Sequence, residues 1–473
     1  MHGRGGPCAG HSGFLAPTNS YLQIDGAHVR IAITATRVAT YAQTGVVVKI
    51  RTAMKSGAMA VALGLALSAC SGGGGGTQDS GPAAAEGGTL TFANWQWLEP
   101  GRGGNILAAV KQYEAVNTKA KLEKQEITRA DYEKTISTQI GAGAGPDILI
   151  IPDPFFPELA SSGALEPLDG VLDSASESAL RKTNENYKFD GKQLGLVWEA
   201  VPYALFYNND IMKAAGAQPP TTAEELAATA KSIQDKTGKT GFVVRHQLNE
   251  ESPWFTDYSN WVYGFGGKWS DGKKLTLNSE ENVAAADAFL KSYKSGGFGV
   301  GDDASTYRSK FAAGQVGMVI DNSSALLTMV SSKDGVKSSQ VSASALPFPG
   351  GGSAYAGFSI GINANSKHKE LAKDFIKWMM TADAQSKFVD ALFPSGIATG
   401  VSAPDAKIKA NPWIGAFYKQ LENSSSVLIP GFETKTPQVR TIVLTQVARM
   451  LTTGISAKEA MDTAQQQAAS LTP

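Results

Sequence analysis

The chain of 473 residues is long enough for two domains of ordinary size and too long for one small core. Lysine plus arginine number 43, as do aspartate plus glutamate, so no net charge would draw the protein to nucleic acid or an anionic membrane. The two cysteines, Cys8 and Cys70, precede the predicted folded region, and the histidines lack HxxxH or HExxH spacing. A disulfide framework, a metal site and a cofactor are therefore not expected.

An export signal is predicted ahead of the folded part. The cationic stretch "KIRTAMK" precedes an apolar run over residues 57–69, which is too short to span a membrane because spanning takes roughly 20 residues. Residues 1–69 are interpreted as a spurious N-terminal extension plus a lipoprotein signal peptide, with translation starting at Met54 or at one of residues 46–48. A genuine cytoplasmic extension is the alternative.

Cys70 ends the predicted signal. The stretch "LSAC" resembles a bacterial lipobox, in which cleavage exposes the cysteine to lipidation, and a chance cysteine is the alternative. Residues 70–88 are rich in small residues and are interpreted as the lipidated Cys70 followed by a flexible linker. The folded part is predicted to begin near Thr89.

Strand and helix patterns alternate after the linker. Apolar alternation predicts a strand over residues 89–95, and apolar residues on one helical face predict a helix over 105–117. A strand over 120–127, a helix over 130–140 and a doubly buried strand over 147–151 follow. This order is typical of a mostly parallel α/β sheet.

A second alternating region follows. Thr221 and Thr222, followed by Glu224 and Glu225, form a helix start signal. Further strands are predicted in "QVGMVID", "SASALPFP" and "AGFSIGINA", and amphipathic helices in "KELAKDFIKWMMTADAQSKFVDAL", "PQVRTIVLTQVARMLTTG" and residues 457–471.

The stretch "SPWFTDYSNWVYGFGGKW", residues 252–269, contains seven aromatic residues. They are mixed with Ser, Thr, Asp, Asn and Gly, which are uncommon neighbours in a core. The mixture predicts a surface on which a ligand docks.

Five segments resemble a known family. "GAGPDILII", "GALEPLDGVL", "GKQLGLVWEAVPYALFYNNDIMKAAGAQPPTTAEEL", "FAAGQVGMVID" and "SIGINANSKHKELAKDFIKWMMTADAQ" occur in the order seen in extracellular solute-binding protein family 1. This family comprises the substrate-binding lipoproteins of carbohydrate ABC transporters, and the maltose/maltodextrin-binding type is the one that the chain resembles. The resemblance covers residue 89 to the C-terminus.

The resemblance implies an α/β fold of two lobes, the type II periplasmic-binding-protein fold, with a hinge that the chain crosses three times. The crossings are expected near residues 200–204, 345–348 and 394–400. The implied N-terminal lobe comprises residues 89–199 and 350–393, and the C-terminal lobe residues 200–349 and 394–473.

The resemblance also implies a function. Proteins of this family are carriers, not enzymes: they close on a solute by hinge motion and present it to a permease whose ATPase is a separate chain. We expect a monomer that binds a mono- or oligosaccharide at the extracellular face of the membrane, anchored by lipid on Cys70, or in the periplasm.

A sugar site needs flat aromatic platforms and polar groups for the hydroxyls. Trp254 falls where the family has a stacking aromatic after a proline, and Trp261 is a candidate second wall. Glu251, just before, is expected to accept hydroxyl hydrogen bonds. The alternatives are a packing role for the tryptophans and a solvated surface charge for Glu251.

Further candidates follow strand ends, where open α/β sheets bind ligands. Trp95, Trp97 and Glu99 follow the first strand, with one of the two tryptophans expected to face the cleft and the other to pack. Asp153 and Phe155 follow the third strand.

The remaining candidates are Glu199 and Tyr203 at the first crossing, Asp321 and Asn322 after "GMVI", and Phe358 at the hinge floor. The family's tryptophans are absent at Ser324 and Thr436, and its acidic residue is replaced by Val201. These departures favour a different or shorter saccharide than maltose.

Three alternatives stay open. A glycoside hydrolase would need a pair of carboxylates, for which Asp153 and Glu251 are candidates. The same fold binding a polyamine, a phosphate ester or a metal complex is the second. A purely structural surface lipoprotein is the third.

Overall fold

The computed structural model describes residues 87–99, 102–129 and 131–473, so the predicted signal, Cys70 and most of the linker lie outside the described residues. The strands in the described part are β1 Gly88–Ala93, β2 Ala120–Gln125, β3 Ile148–Pro152, β4 Lys188–Phe189, β5 Lys192–Gln193, β6 Leu196–Asn208, β7 Thr240–Val243, β8 Val316–Asn322, β9 Val341–Ser344, β10 Ser353–Ile362 and β11 Ser424–Ser425.

The helices of the described part surround these strands. They are α1 Gly103–Lys111, α2 Tyr113–Val116, α3 Tyr132–Gly141, α4 Phe156–Ser161, α5 Ser174–Ala179, α6 Asn209–Ala215, α7 Ala223–Thr237, α8 Glu251–Gly264, α9 Glu280–Tyr293, α10 Ala304–Ala312, α11 Ser323–Val330, α12 Lys369–Met379, α13 Ala382–Ala391, α14 Asp405–Ala410, α15 Ile414–Leu421, α16 Thr436–Thr453 and α17 Ala457–Gln467. Across these described residues, no helix combines the length and apolar character that a membrane crossing requires.

Most of these strands form a mixed sheet in the order β2-β1-β3-β10-β6-β8-β7, with β9 paired to β6 and β11 to β10, while β4 and β5 form a separate hairpin. β1 pairs in parallel with β2 and β3, which confirms the predicted alternation of strand and helix. β6 pairs with β10 over residues 196–202 and with β8 over residues 203–207, so this one strand runs from one half of the sheet into the other. There are two hydrophobic cores: the first fills the half of the sheet around β1 and extends past β6 to Val316 and Val319 of β8, and the second packs around α8, α9 and α16 in the other half.

Two of the predicted crossings contact each other. The amide of Ala200 donates to the carbonyl of Gly396 at 2.9 Å, and the amide of Gly396 donates to the carbonyl of Ala200 at 2.8 Å. The backbone of β6 is therefore fixed to the segment near residue 396. The residue numbers at which one lobe ends and the other begins stay a prediction.

Two predicted helices are each broken into a pair. The pattern over residues 105–117 forms α1 and α2, with Gln112 between them. The pattern beginning at Lys369 forms α12 and α13, because the Thr381 side chain accepts from the Ala384 amide and starts a new helix. The predicted start at Thr222 is confirmed: its hydroxyl oxygen accepts from the Glu225 amide at 3.1 Å.

The aromatic stretch over residues 252–269 forms most of helix α8 and the segment that follows it, and its aromatic rings are mostly buried. This differs from the prediction of an exposed docking surface. Three polar residues of this stretch, Asp257, Ser259 and Asn260, are tolerated in the core because each has a partner there. The Asp257 carboxylate pairs with Arg245, and the Ser259 hydroxyl accepts from the Trp269 indole. The Asn260 side-chain oxygen accepts from the Ala354 amide of β10.

Candidate functional site

A cleft of about 960 Å³ lies between the segment that follows β1 and the segment that follows β8. Carboxyl ends of strands in open α/β sheets are the usual place for a ligand site. The third crossing and the segment after it close another side. The lining residues are Glu99, Arg102, Asn105, Arg308, Asn322, Ser324, Ala325, Leu327, Thr328, Met329, Ser331, Ser332, Asp390, Ala391, Phe393, Pro394, Lys407 and Asn411.

Two of the predicted binding residues line this cleft, Glu99 and Asn322. Glu99 follows β1 and accepts from Arg102 Nη1 at 3.2 Å. Burial raises the pKa of the Glu99 carboxyl, against the lowering effect of Arg102. Asn322 ends β8, and its side-chain oxygen caps α11 by accepting from the Ala325 amide at 2.9 Å. Their side chains therefore face the cleft while being held by local hydrogen bonds.

Arg102 forms part of the cleft floor together with the buried Glu199. One guanidinium nitrogen of Arg102 donates to Glu199 and to the carbonyl of Leu392. Burial would lower the pKa of Arg102, but Glu199 and Glu99 outweigh it and raise this pKa. The carboxylate of Glu199 is buried and already accepts from three side chains, and its own contact with a ligand stays a prediction.

Arg308 contributes a second guanidinium to the lining. It donates from Nε and Nη2 to the two carboxylate oxygens of Asp321, at 2.7 and 2.9 Å. Burial would raise the pKa of Asp321, but Arg308 lowers it below its usual value. Asp321 also accepts from the hydroxyl of Tyr307 and is wholly buried, and its hydrogen bonding to solute hydroxyls stays a prediction.

The charges that line the cleft are paired. Arg102 pairs with Glu199 and Glu99, Arg308 with Asp321, and Lys407 with Asp390 at 2.7 Å. The apolar part of the lining includes Met329 and the ring of Phe393. A cleft with paired charges, amide and hydroxyl groups and an apolar wall suits a neutral, polar solute.

The two tryptophans after β1 differ in their contacts. Trp97 packs edge-on against Phe92 and donates from its indole to the Phe92 carbonyl at 3.1 Å. The ring of Trp95 lies between Tyr132 and the partly exposed Phe358, with the guanidinium of Arg129 at 5.0 Å. Trp95 and Phe358 therefore form one cluster, which is not part of the cleft lining, and their binding role stays a prediction.

Three predicted residues near the sheet edge are buried in this structure, and their binding roles stay predictions. The Asp153 carboxylate accepts from the hydroxyls of Tyr187 and Ser426, at 2.6 and 2.8 Å. Phe155 belongs to the hydrophobic core of the first half of the sheet. Tyr203 is buried beside Asp257. None of these three side chains is open to a solute in this structure.

Of the candidates on α8, the two tryptophans are buried in the core and Glu251 lies outside the cleft lining. Trp254 and Trp261 have no exposed surface, and the ring of Trp261 packs against Phe289 and Phe348. Neither ring is open to a solute in this structure, and their role as platforms stays a prediction. Glu251, at the start of α8, is partly exposed and pairs with Arg440 at 3.2 Å, outside the cleft lining. Its binding role stays a prediction.

Sequence reasoning missed most of the cleft lining. Thr328 and Met329 lie on α11, and Arg308 lies on α10. The sequence of each helix has the polar and apolar pattern of a helix packed on a core, which does not indicate a binding surface. The position of α11 in the chain is the one available signal, because α11 begins directly after β8 and ligands bind at the carboxyl ends of strands in open α/β sheets. Ser324, where the family's tryptophan is absent, does line the cleft.

Comparisons with known proteins agree with this architecture. Residues 98–386 match the family described as "Bacterial extracellular solute-binding protein". The chain is 25% identical over 366 residues to the diacetylchitobiose binding protein DasA of Streptomyces coelicolor, a match that covers 73% of this chain and 81% of that protein. It is 28% identical over 295 residues to a putative binding protein of Brucella abortus, covering 59% and 69% of the two chains.

Solved structures have the same fold. The cyclic α-maltosyl-1,6-maltose binding protein of Arthrobacter globiformis superposes with a TM-score of 0.71 at 19% identity, covering 80% of this chain and 98% of that one. The GacH receptor of Streptomyces glaucescens, solved unliganded and with acarbose, gives a TM-score of 0.69 at 21% identity, covering 81% and 97%. The two-lobe α/β fold is therefore confirmed, and because the family match covers most of the described residues, the chain belongs to the bacterial extracellular solute-binding protein family.

Proposed function

We propose that this protein binds a mono- or oligosaccharide in the cleft between β1 and β8 and delivers it to the permease of an ABC importer. The observation that carries the proposal is the composition of the cleft lining, in which the charged side chains are paired and the other side chains are amides, hydroxyls and apolar groups. A sugar presents hydroxyl edges to such polar groups and C–H faces to an apolar wall.

The relatives support a carbohydrate. One relative is named for diacetylchitobiose, and the structural neighbours are described with cyclic maltosyl-maltose and acarbose. The aromatic ring in this cleft is that of Phe393, and the ammonium of Lys407 lies 5.5 Å from its centre. None of the described residues that line the cleft is a tryptophan. We therefore expect a saccharide recognised more by hydrogen bonds than by stacking, and shorter than or different from maltodextrin.

A non-sugar solute is the second candidate. A polyamine needs unpaired cleft carboxylates, whereas Glu99 and Asp390 each pair with a cation. A phosphate ester would need unpaired cations, and Arg102, Arg308 and Lys407 are each paired as well. The paired charges favour the neutral sugar over both.

We propose a carrier without catalytic activity. The pair of carboxylates considered for glycoside hydrolysis is Asp153 and Glu251. Asp153 is buried and accepts from Tyr187 and Ser426, and Glu251 pairs with Arg440. Neither carboxyl is available to protonate a glycosidic oxygen, so incubation with candidate glycans should release no reducing sugar.

We propose that the protein is a monomer tethered to the outer face of the membrane by lipid on Cys70, or held in the periplasm. The "LSAC" sequence supports the tether. Metabolic labelling with a palmitate analogue should mark the wild-type protein and not the Cys70→Ser variant, and that variant should appear in the soluble fraction. Labelling of both proteins would contradict a lipid on Cys70.

Thermal unfolding with a panel of solutes tests the proposed ligand. The panel should include maltose, maltotriose, diacetylchitobiose, spermidine and glucose 6-phosphate. A bound solute at a hundredfold excess over its Kd stabilises by about 2.7 kcal/mol, which is a readily measured rise in melting temperature. A rise with a neutral saccharide supports the proposal. A rise only with spermidine or with glucose 6-phosphate would replace it by the corresponding non-sugar function.

A further inference from the structure

Glu199 lies on β6 directly before Ala200, where the first and third crossings share two backbone hydrogen bonds. Its side chain is 1% exposed. One carboxylate oxygen accepts from Arg102 and from the Ser395 hydroxyl, the latter at 2.6 Å, and the other accepts from the Gln96 amide at 2.6 Å. We propose that Glu199 is a positioning residue that holds Arg102 in the cleft floor and ties it to the hinge. This inference rests on the proposed solute-binding function.

The side of the network nearest β1 is rigid. The Gln96 side-chain oxygen accepts from the Trp198 indole at 2.8 Å and from the Asn94 amide at 3.2 Å. These bonds orient the Gln96 amide so that its nitrogen can only donate toward Glu199. The carboxylate of Glu199 is therefore fixed before any solute arrives, and Arg102 is fixed with it.

The other side of the network reaches α11. The hydroxyl of Ser395 lies 3.5 Å from the hydroxyl of Ser324, and the Ser323 hydroxyl donates to the Pro394 carbonyl at 3.2 Å. α11 carries the part of the cleft lining that faces Arg102 across the cleft. A connected set of hydrogen bonds thus runs from Arg102 through Glu199 and Ser395 to α11. Because a separation of 3.5 Å is at the limit of a hydrogen bond, a small hinge rotation makes or breaks this contact.

The charge on Glu199 keeps Arg102 in place. Within the described part of the chain, Arg102 is the cation that pairs with Glu199, and the other anionic partner of Arg102 is Glu99, whose side chain is 38% exposed. Without the Glu199 charge, the guanidinium would keep one weak, solvent-exposed pair. A guanidinium that is already held in place costs less ordering entropy when a solute binds, so its loss should lower affinity.

The test uses Glu199→Gln, which keeps the shape and removes the charge. Asp147→Asn is the matched control, because Asp147 is another buried carboxylate, bonded to Thr91 and Ser366 away from the cleft. In the full chain with Cys8 and Cys70 replaced by serine, nitroxides at Lys121→Cys and Lys291→Cys report the distance between the two halves without any solute. We expect a shifted or broader distance distribution in Glu199→Gln and the wild-type distribution in Asp147→Asn. Identical distributions in all three proteins would overturn the inference.

Affinity for maltotriose and diacetylchitobiose is the second measurement, made on wild type, Glu199→Gln, Arg102→Gln and the double variant. We expect each single variant to bind about tenfold or more weakly and the double variant to bind no more weakly than Arg102→Gln. Additive losses would contradict a role for Glu199 through Arg102. Failure of the wild type to bind either saccharide counts against the proposed ligand, and the distance measurement still decides on Glu199.

Discussion

Arg245 and Asp257 form an ion pair inside the core that surrounds α8. Arg245 Nη1 lies 2.7 Å from the Asp257 carboxylate, and their side chains are 5% and 0% exposed. Arg245 also donates from Nε to Glu250 at 3.1 Å. Burial raises the pKa of Asp257, the neighbouring Asp321 adds to this, and Arg245 opposes it. The ion pair with Arg245 therefore allows α8 to be buried although its Asp257 carboxylate has no contact with water.

Arg245→Met should destabilise the protein strongly. The substitution leaves the Asp257 carboxylate buried without its cation, which costs about 3–5 kcal/mol in other proteins. Urea unfolding at pH 7 checks this value. Lys231→Ala is the control, because Lys231 pairs with Asp235 on the exposed face of α7, where such a pair contributes about 0.3–0.5 kcal/mol. Equal effects of the two substitutions would show that the buried pair does not support α8.

Trp254→Ala should act on stability and not directly on binding. The ring is part of the hydrophobic core of the second half of the sheet, so its removal leaves a cavity that costs about 3–5 kcal/mol. Trp254→Phe keeps most of the volume and should fold well enough for calorimetry with a bound saccharide. We expect this variant to keep wild-type affinity within about threefold. A large loss of affinity in a stable Trp254→Phe protein would favour Trp254 as a platform.

The strands and helices were predictable because their signals are local. The apolar alternation of β1 and the helix start at Thr222 each depend on residues within a few positions, and both are confirmed. The role of α8 was not predictable in this way. The partner of Asn260 is the Ala354 amide, which lies 94 residues away in the chain, so its sequence alone makes the helix look too polar for a core.

The candidate site was predicted only in part for a related reason. The strand ends point to the edge of the sheet where the candidate cleft lies, and Glu99 and Asn322 line that cleft. Whether an acidic side chain there is free or already paired depends on residues from distant segments. Glu199 pairs with Arg102 and Asp321 pairs with Arg308, and no local sequence pattern predicts either ion pair.

Asp153 should make the stability depend on pH. Burial raises the pKa of its carboxyl from 3.8 to about 6, against hydrogen bonds from Tyr187 and Ser426 that lower it. Because the folded state holds the proton more tightly than the unfolded state, this residue's contribution to stability falls as pH rises from about 4 to about 6 and stays low above that. Asp153→Asn removes the charge and should be more stable than wild type at pH 7.5 by about 3 kcal/mol, with the difference vanishing near pH 4. Urea unfolding at several pH values measures it, and a difference that is constant with pH would contradict the assignment.

Thr328→Trp should block the cleft without weakening the fold. Thr328 is exposed on α11 where it lines the cleft, and its hydroxyl donates only to the Ser324 carbonyl one turn earlier. An indole at this position would occupy the space of a sugar ring, so affinity should fall more than tenfold, while exposed substitutions change stability by about 0.5 kcal/mol or less. Thr452→Trp is the matched control, because Thr452 is exposed on α16 and donates to the Ala448 carbonyl in the same way, away from the cleft. Calorimetry with the bound saccharide and thermal unfolding separate the two effects. If Thr328→Trp binds as tightly as Thr452→Trp, the solute does not occupy this cleft, and the cluster of Trp95 and Phe358 becomes the place to look for it.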